Sequence, residues 1–192
     1  MATKTTELNA VNDMLSAIGE APVNALSGSL IASVTIARNL IAQETRKLQV
    51  KGWHFNQDSD YDLIPNVDGN IVIPDNMIKV DVPYNRYASD YDPVVRGGLL
   101  YDKTENTYIW TETIQADVTW VFDFDDIPEV FRQYVMVRAG RLFIDRVVGG
   151  ADLIVYTQDD ERTAWAACRE QEAEHADYNI FDNVDMLHTL MR

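Results

Sequence analysis

The period at which apolar residues recur changes twice along this chain, near residues 53 and 125, and no composition figure constrains the fold as much. Before the first change the spacing is helical. Leu8, Val11, Leu15 and Ile18 follow Thr5 and Thr6, either of which can cap a helix start, and Gly19 with Pro22 marks a stop. A second helix is predicted from about Ser29 to Lys51, with Leu30, Val34, Ala37, Ile41 and Leu48 on one face. Ile31, Ile36 and Leu40 widen that face, and Gly52 ends the helix.

Between Trp53 and Phe124 the pattern shortens to strands, punctuated by Pro65, Pro74, Pro83, Pro93 and the Gly97–Gly98 pair. Within residues 115–123, Ala116, Val118, Trp120 and Phe122 fall on one side and Asp117, Thr119 and Asp123 on the other. Alternation with one wet face predicts an antiparallel sheet. The polar run 102–106 reads as a hairpin loop leading into a strand over residues 107–114.

Helical spacing returns at Asp126-Ile127-Pro128-Glu129, which combines a capping aspartate, an early proline and an acid in the first turn. Phe131, Val135 and Leu142 form one stripe and Tyr134, Val137, Ile144 and Val148 another, so this helix is predicted to be central, ending at Gly149–Gly150. A last long helix, residues 152–178, carries a narrow stripe of Ala164, Ala167, Cys168, Gln171, His175 and Tyr178. The expected fold is therefore α+β: a bundle of about four helices, two N-terminal and two C-terminal, with an inserted antiparallel β-rich lobe. Residues 1–52 and 125–178 would form the bundle, 53–124 the lobe and 179–192 a tail.

Charge is unevenly distributed over these parts. Of 31 acids and 16 bases, residues 1–52 hold four and five, residues 53–124 thirteen and four, and residues 125–192 fourteen and seven. A net charge of −15 argues against a reader of nucleic-acid sequence, which neutralises phosphates with Lys and Arg. It does not exclude a surface that DNA must pass without adhering. The first twenty residues lack the continuous apolar run of a secretory signal, and the best apolar stretch, 30–42, is interrupted by Arg38 and Asn39, so no membrane span is expected. The lone Cys168 cannot form an internal disulfide, which fits a reducing compartment.

Groups able to carry chemistry are sparse. Asp58, Asp60 and Asp62 imitate the opening of a calcium loop, but Leu63 stands where glycine is required and Gly69 where the bidentate glutamate belongs. Alternating acids on the wet side of an extended segment account for them better. Asp123, Asp125, Asp126 and Glu129 could include a glycosidase pair, although a strand end followed by a helix cap explains all four. His54, His175 and His188 have no metal-ligand spacing. Cys168 and His175, seven residues apart on one helix, are separated by about 10 Å of rise, too far for a nucleophile pair. Neither a metal nor a cofactor is expected, and no residue is assigned a catalytic role. Arg138 and Arg141 lie on one side of an otherwise apolar helix and need partners. Asp145 is one candidate, and a salt bridge to another subunit is as plausible as a purely structural role. In the tail, Ile180, Phe181, Met186, Leu187 and Leu190 crowd eleven residues with apolar side chains, which suggests a segment that orders against a neighbour, the alternative being a strap folded back on its own bundle.

Five segments in order give the chain a resemblance that spans nearly its whole length: 10–15 (AVNDML) running into 18–23 (IGEAPV), then 52–56 (GWHFN), 96–102 (RGGLLYD), 127–132 (IPEVFR) and 178–182 (YNIFD). With them the chain resembles the tail tubular protein A family of short-tailed bacteriophages. That resemblance implies a helical bundle with a β-rich part, and a homo-oligomeric, dodecameric ring joining the portal protein to the nozzle, tail tubular protein B. It further implies a role in seating the tail fibres and residence in the virion tail, after assembly in the host cytoplasm. An acidic lining would let DNA slide through such a ring. The alternative from a different class is a virion-associated glycan hydrolase, alone or as a second activity of the same adaptor.

Overall fold

A computed structural model describes residues 4–28, 31–82, 91–147, 149 and 157–175. The fold is α+β, and the described residues form four helices and a small antiparallel sheet region. Two compact units divide the chain: residues 1–44 with 127–192, and residues 45–126.

In the helical unit, α1 (Glu7–Ala17) starts where the Thr6 hydroxyl accepts the Asn9 N–H at 3.2 Å. It stops because Gly19, at φ +78°, lets the Gly19 and Glu20 amides turn back onto the Ser16 and Leu15 carbonyls, which satisfies two end groups of the helix. Ala10, Val11, Met14 and Leu15 form its buried face. The second helix, α2 (Ala32–Gln49), is shorter than the predicted span, and the division between units falls inside it. Val34, Ala37, Leu40, Ile41, Glu44, Thr45, Leu48 and Gln49 are its buried positions. That stripe keeps helical spacing throughout but is polar at three of its eight places. Ile31 and Ile36, expected to widen the apolar face, are exposed (51% and 36%): Ile31 precedes the first residue of the helix and Ile36 lies off this stripe.

The central helix, α3 (Glu129–Val147), packs against α1 and α4. From Ile127 to Ile144 no residue is exposed, as a helix apolar on nearly all sides requires. Its buried positions are Phe131, Arg132, Val135, Ala139, Gly140, Phe143 and Ile144, while Leu142 is half-buried. The helix begins at Glu129, with the Phe131 and Arg132 amides bonded to the Pro128 carbonyl. Asp126 therefore falls in a preceding 3-10 turn (Phe124–Asp126) and not at the cap. The last helix, α4 (Gln158–His175), starts later than predicted, because Thr157 and Asp160 form a reciprocal cap. The Asp160 amide reaches the Thr157 hydroxyl at 3.1 Å, and the Thr157 amide reaches the Asp160 carboxylate at 2.8 Å. Its inward stripe is Glu161, Ala164, Trp165, Cys168, Gln171 and Glu172. Ala167 and His175, placed on that stripe by spacing, are exposed. Leu30, Val148, Tyr178, His188 and the whole 179–192 tail lie outside the described residues.

The β unit contains β1 (Gln57–Leu63), β2 (Met77–Asp81), β3 (Pro93–Arg96), β4 (Leu99–Asp102) and β5 (Ile114–Trp120). Its three-stranded sheet is antiparallel in the order β1-β5-β2, so the alternating strand read most clearly from sequence is the central one. Strands β3 and β4 form a hairpin closed by Gly97 and Gly98 at φ +60° and +76°, the left-handed pair a two-residue turn demands. Residues 103–106 turn as expected, with Asp102 and Thr107 exchanging both backbone hydrogen bonds. The strand predicted after that turn reduces to isolated bridges at Thr107 and Ile109 before β5 begins. One core unites the layers: Leu63, Ile71, Ile73, Met77, Leu100, Trp110, Ile114, Ala116 and Val118.

Leu40, 1% exposed in α2, should lose about 2–5 kcal/mol of stability on substitution by Ala. Ile31→Ala should stay within about 0.5 kcal/mol of the parent. Urea unfolding of the two variants measures the difference and reports which face of α2 is inward.

Candidate functional site

Arg138 and Arg141, singled out from sequence, are tied into an ion-pair cluster that links three helices. Glu44 of α2 is 1% exposed, and its Oε2 takes the Arg138 Nε at 2.6 Å. The Nη1 of Arg138 also pairs with Glu161 Oε1 of α4, and the other Glu161 oxygen takes the Arg141 Nε at 2.8 Å. Asp145, the intrahelical mate expected for Arg141, lies 3.8 Å from its Nη1. Burial alone would lower the Arg138 pKa, but the Glu44 hydrogen bond and the neighbouring Tyr134, Glu161 and Glu44 hold it above its ordinary value. Burial also raises the Tyr134 hydroxyl, whose ring sits 5.1 Å from that of Trp165. Neither Glu44 nor Glu161 was picked out by sequence. Their only signal was position: an acid on the inward stripe of α2, and another on the first turn of α4.

A second polar cluster fixes the N-terminal segment. The Glu129 carboxylate accepts the Thr5 amide at 3.1 Å, the Thr5 hydroxyl and the Gln133 amide, and Arg132, 2% exposed, donates to the Thr5 carbonyl at 2.7 Å. Burial would raise the Glu129 pKa, but the bonds from Thr5 and Gln133, with the Arg132 charge, bring it below the usual carboxylate range. Of the four acids weighed as a glycosidase pair, Glu129 is thus engaged in structure, and Asp123, Asp125 and Asp126 are exposed.

The remaining candidates are separate. Asp58, Asp60 and Asp62 are all exposed on β1, and Asp60 stands at a bulge with φ +60°. Two of these acids accept side-chain donors of β5, Asp58 from the Trp120 indole at 2.8 Å and Asp62 from Gln115 at 3.1 Å. Cys168 is fully buried; burial pushes its thiol up to about 12, and its Sγ lies 3.6 Å from the Val130 carbonyl. Among the described residues no group of three or more His, Cys, Asp or Glu could hold a metal, and no helix is long and apolar enough to cross a membrane.

What the quoted motifs do is hold backbone. Asn12 takes both the N–H and the carbonyl of Val23, at 2.8 and 3.0 Å. Glu20, beside Gly19, accepts the Ser33 hydroxyl at 2.7 Å. In the β unit Gln49 does to Phe122 what Asn12 does to Val23, at 2.8 and 2.9 Å. Asn56, 1% exposed, donates to the Gln49 and Trp120 carbonyls and accepts the Trp53 amide. These polar residues hold the elements of the fold in place. A model of the tail tubular protein family matches residues 8–178, and the chain belongs to that family: it is a structural component of a bacteriophage tail. No curated protein matches the chain.

Two outcomes follow from these clusters. Arg138→Met removes the described cation from the buried Glu44 carboxylate and should cost about 3–5 kcal/mol, whereas Glu44→Met together with Arg138→Met should regain a large part of that loss, since Glu161 keeps Arg141. Chemical unfolding of the single and double variants measures it. Glu129 is depressed in the folded state, so its contribution is present above the unfolded carboxylate value and lost as pH falls through the lower folded one. In melting curves taken from neutral pH downward, Glu129→Gln should remove part of that acid-side loss.

Proposed function

We propose that this chain is a ring-forming adaptor of the phage tail, joining the portal to the nozzle, helping to seat the tail fibres and forming part of the conduit through which DNA leaves. Family membership over residues 8–178 is the observation that carries the reading. The charge supports it: a subunit of −15, repeated around a dodecameric ring, surrounds a channel with a field that repels phosphate. Screening confines that field to about 8–10 Å at physiological salt, so it acts at the wall, where adhesion would stall ejection. A conduit that must pass any sequence gains nothing from bases on its wall.

Docking needs surfaces that a monomer leaves unsatisfied. The 179–192 tail, with Ile180, Phe181, Met186, Leu187 and Leu190, is proposed as the segment that orders against a neighbour on assembly. Arg138 and Arg141, engaged with Glu44 and Glu161 inside one chain, are proposed at most as a boundary of that interface. Deleting residues 179–192 tests the reading. The truncated chain should keep the melting temperature and far-ultraviolet spectrum of the parent yet fail to join portal-bearing heads, as seen by sedimentation and electron microscopy. Normal assembly of the truncated chain would remove the tail from the docking surface, and unfolding would place it in the monomer's core.

A further inference from the structure

An open sheet has two edges, and in the three-stranded sheet of the β unit one of them is β1. The order β1-β5-β2 pairs β1 on one side, and among the described residues no isolated bridge reaches its other side. At seven residues β1 is as long as the central β5, and every residue from Gln57 to Asp62 is exposed. A long exposed edge is a template onto which a strand of another copy can add, amide to carbonyl.

Two features of β1 oppose that addition. The first is its bulge. Asp58 stands opposite Val118 and Tyr61 opposite Ala116, so Ser59 and Asp60 together face the single residue Asp117. Asp60 adopts φ +60°, and its amide donates to the Asp117 Oδ1 at 3.3 Å instead of being offered to a newcomer. A bulge bends the strand and breaks the even spacing that a ladder of hydrogen bonds needs. The second feature is charge, and the bulge distributes it. Strict alternation would put Asp58 and Asp62 on one face. Residues directly opposite in an antiparallel pair share a face, so the extra residue sends Asp58 to the side of Val118 and Asp62 to the side of Gln115. Neutral donors of β5 hold both: the Trp120 indole reaches Asp58 at 2.8 Å and the Gln115 amide reaches Asp62 at 3.1 Å. Among the described residues neither forms an ion pair, and β1 contains no Lys or Arg. A second copy of β1 laid along this edge would bring aspartates against aspartates, which destabilises a strand pair.

We propose that the bulge and the aspartates of β1 are an edge guard, which closes this edge to strand addition between copies of the chain. A sheet continued from copy to copy has no stop of its own and runs on as an open polymer. The guard removes that route, so copies brought close together meet through other surfaces. The carboxylates that imitate a calcium loop in the sequence thus act by repulsion, at an edge, and bind nothing.

The test uses four preparations of the full chain. Beside the parent stands an unguarded variant, Asp58→Thr and Asp62→Thr with Asp60 deleted. Deleting Asp60 leaves Ser59 alone opposite Asp117 and keeps Asp58, Tyr61 and Asp62 on their present faces. A recharged variant carries the same deletion with Asp58→Lys and Asp62→Lys. A control, Asp68→Asn, Asp75→Asn and Glu105→Gln, removes three exposed carboxylates outside β1. Sedimentation velocity over a concentration series reads size, and the infrared band of intermolecular strands reads the kind of contact. The unguarded variant should grow without a limiting size and show that band at concentrations at least tenfold below any at which the parent does. The recharged variant and the control should match the parent. Growth of the control, or of the recharged variant, equal to that of the unguarded one would overturn the proposal, because charge at this edge would then not matter. So would an unguarded variant that behaves as the parent. If the unguarded variant loses the parent's near-ultraviolet spectrum, the pair Asp58→Asn with Asp62→Asn, which keeps the bulge and both acceptors, replaces it. That pair should polymerise at a lower concentration than the parent, and an equal threshold would overturn the guard. The comparison holds whether or not the parent forms rings, so neither result bears on the ring reading.

Discussion

Burying a carboxylate to 1% exposure is costly without a compensating partner, and the ion pair that Glu44 makes with Arg138 ties α2 to α3 in the helical unit. Arg138 reaches it from α3 with its Nε and reaches Glu161 of α4 with its Nη1, and Arg141 fills the remaining oxygen of Glu161. Two acids and two bases from three helices thus neutralise one another. Apolar packing alone lets helices slide and rotate, since one aliphatic contact replaces another at little cost. A guanidinium fork shared between carboxylates on two other helices fixes both the rotation of α3 and the height of α4. This matters most for α4, whose one fully buried residue is Cys168. Its attachment depends on Glu161, on the Tyr134–Trp165 contact and on Cys168 against the Val130 carbonyl.

The β unit solves a similar problem with neutral groups. Gln49, at the end of α2, offers its amide to the N–H and carbonyl of Phe122 as a neighbouring strand would, and Asn56 joins the Gln49 and Trp120 carbonyls. A side-chain amide carries a donor and an acceptor at the spacing of a peptide group, so it can satisfy backbone where no strand continues. Asn12 repeats the device on Val23 in the helical unit. These residues fall inside or beside the segments that mark the family, and their work is architectural. For a structural component of a phage tail, that use of polar residues is the expected one.

Much of the fold was legible because helical and strand periods are local. The inward stripe of α1, the stops at Gly19 and Gly52 and the central place of α3 and β5 all follow from spacing and from the conformations glycine permits. What spacing misassigned were residues whose burial depends on a distant partner. Ile31 and Ile36 read as core and are exposed, whereas Glu44, Thr45 and Gln49, which the apolar pattern does not mark, are buried. Thr157 was overlooked as a cap because the helical pattern runs through it, although the Asp160 three residues on carried the signal. Arg138 and Arg141 were found because a cation on an apolar helix is anomalous, but their partners Glu44 and Glu161 lie far away in the chain.

By itself, the sequence determined the element types, the β part set between two helical parts, the surplus of acid and the family. Each of these rests on residues close together in the chain or on composition. Only the tertiary structure decided which charges are buried together and which side-chain amides stand in for strands. Those outcomes depend on pairings between residues tens of positions apart, whose distances are set by packing and not by the period of any one segment.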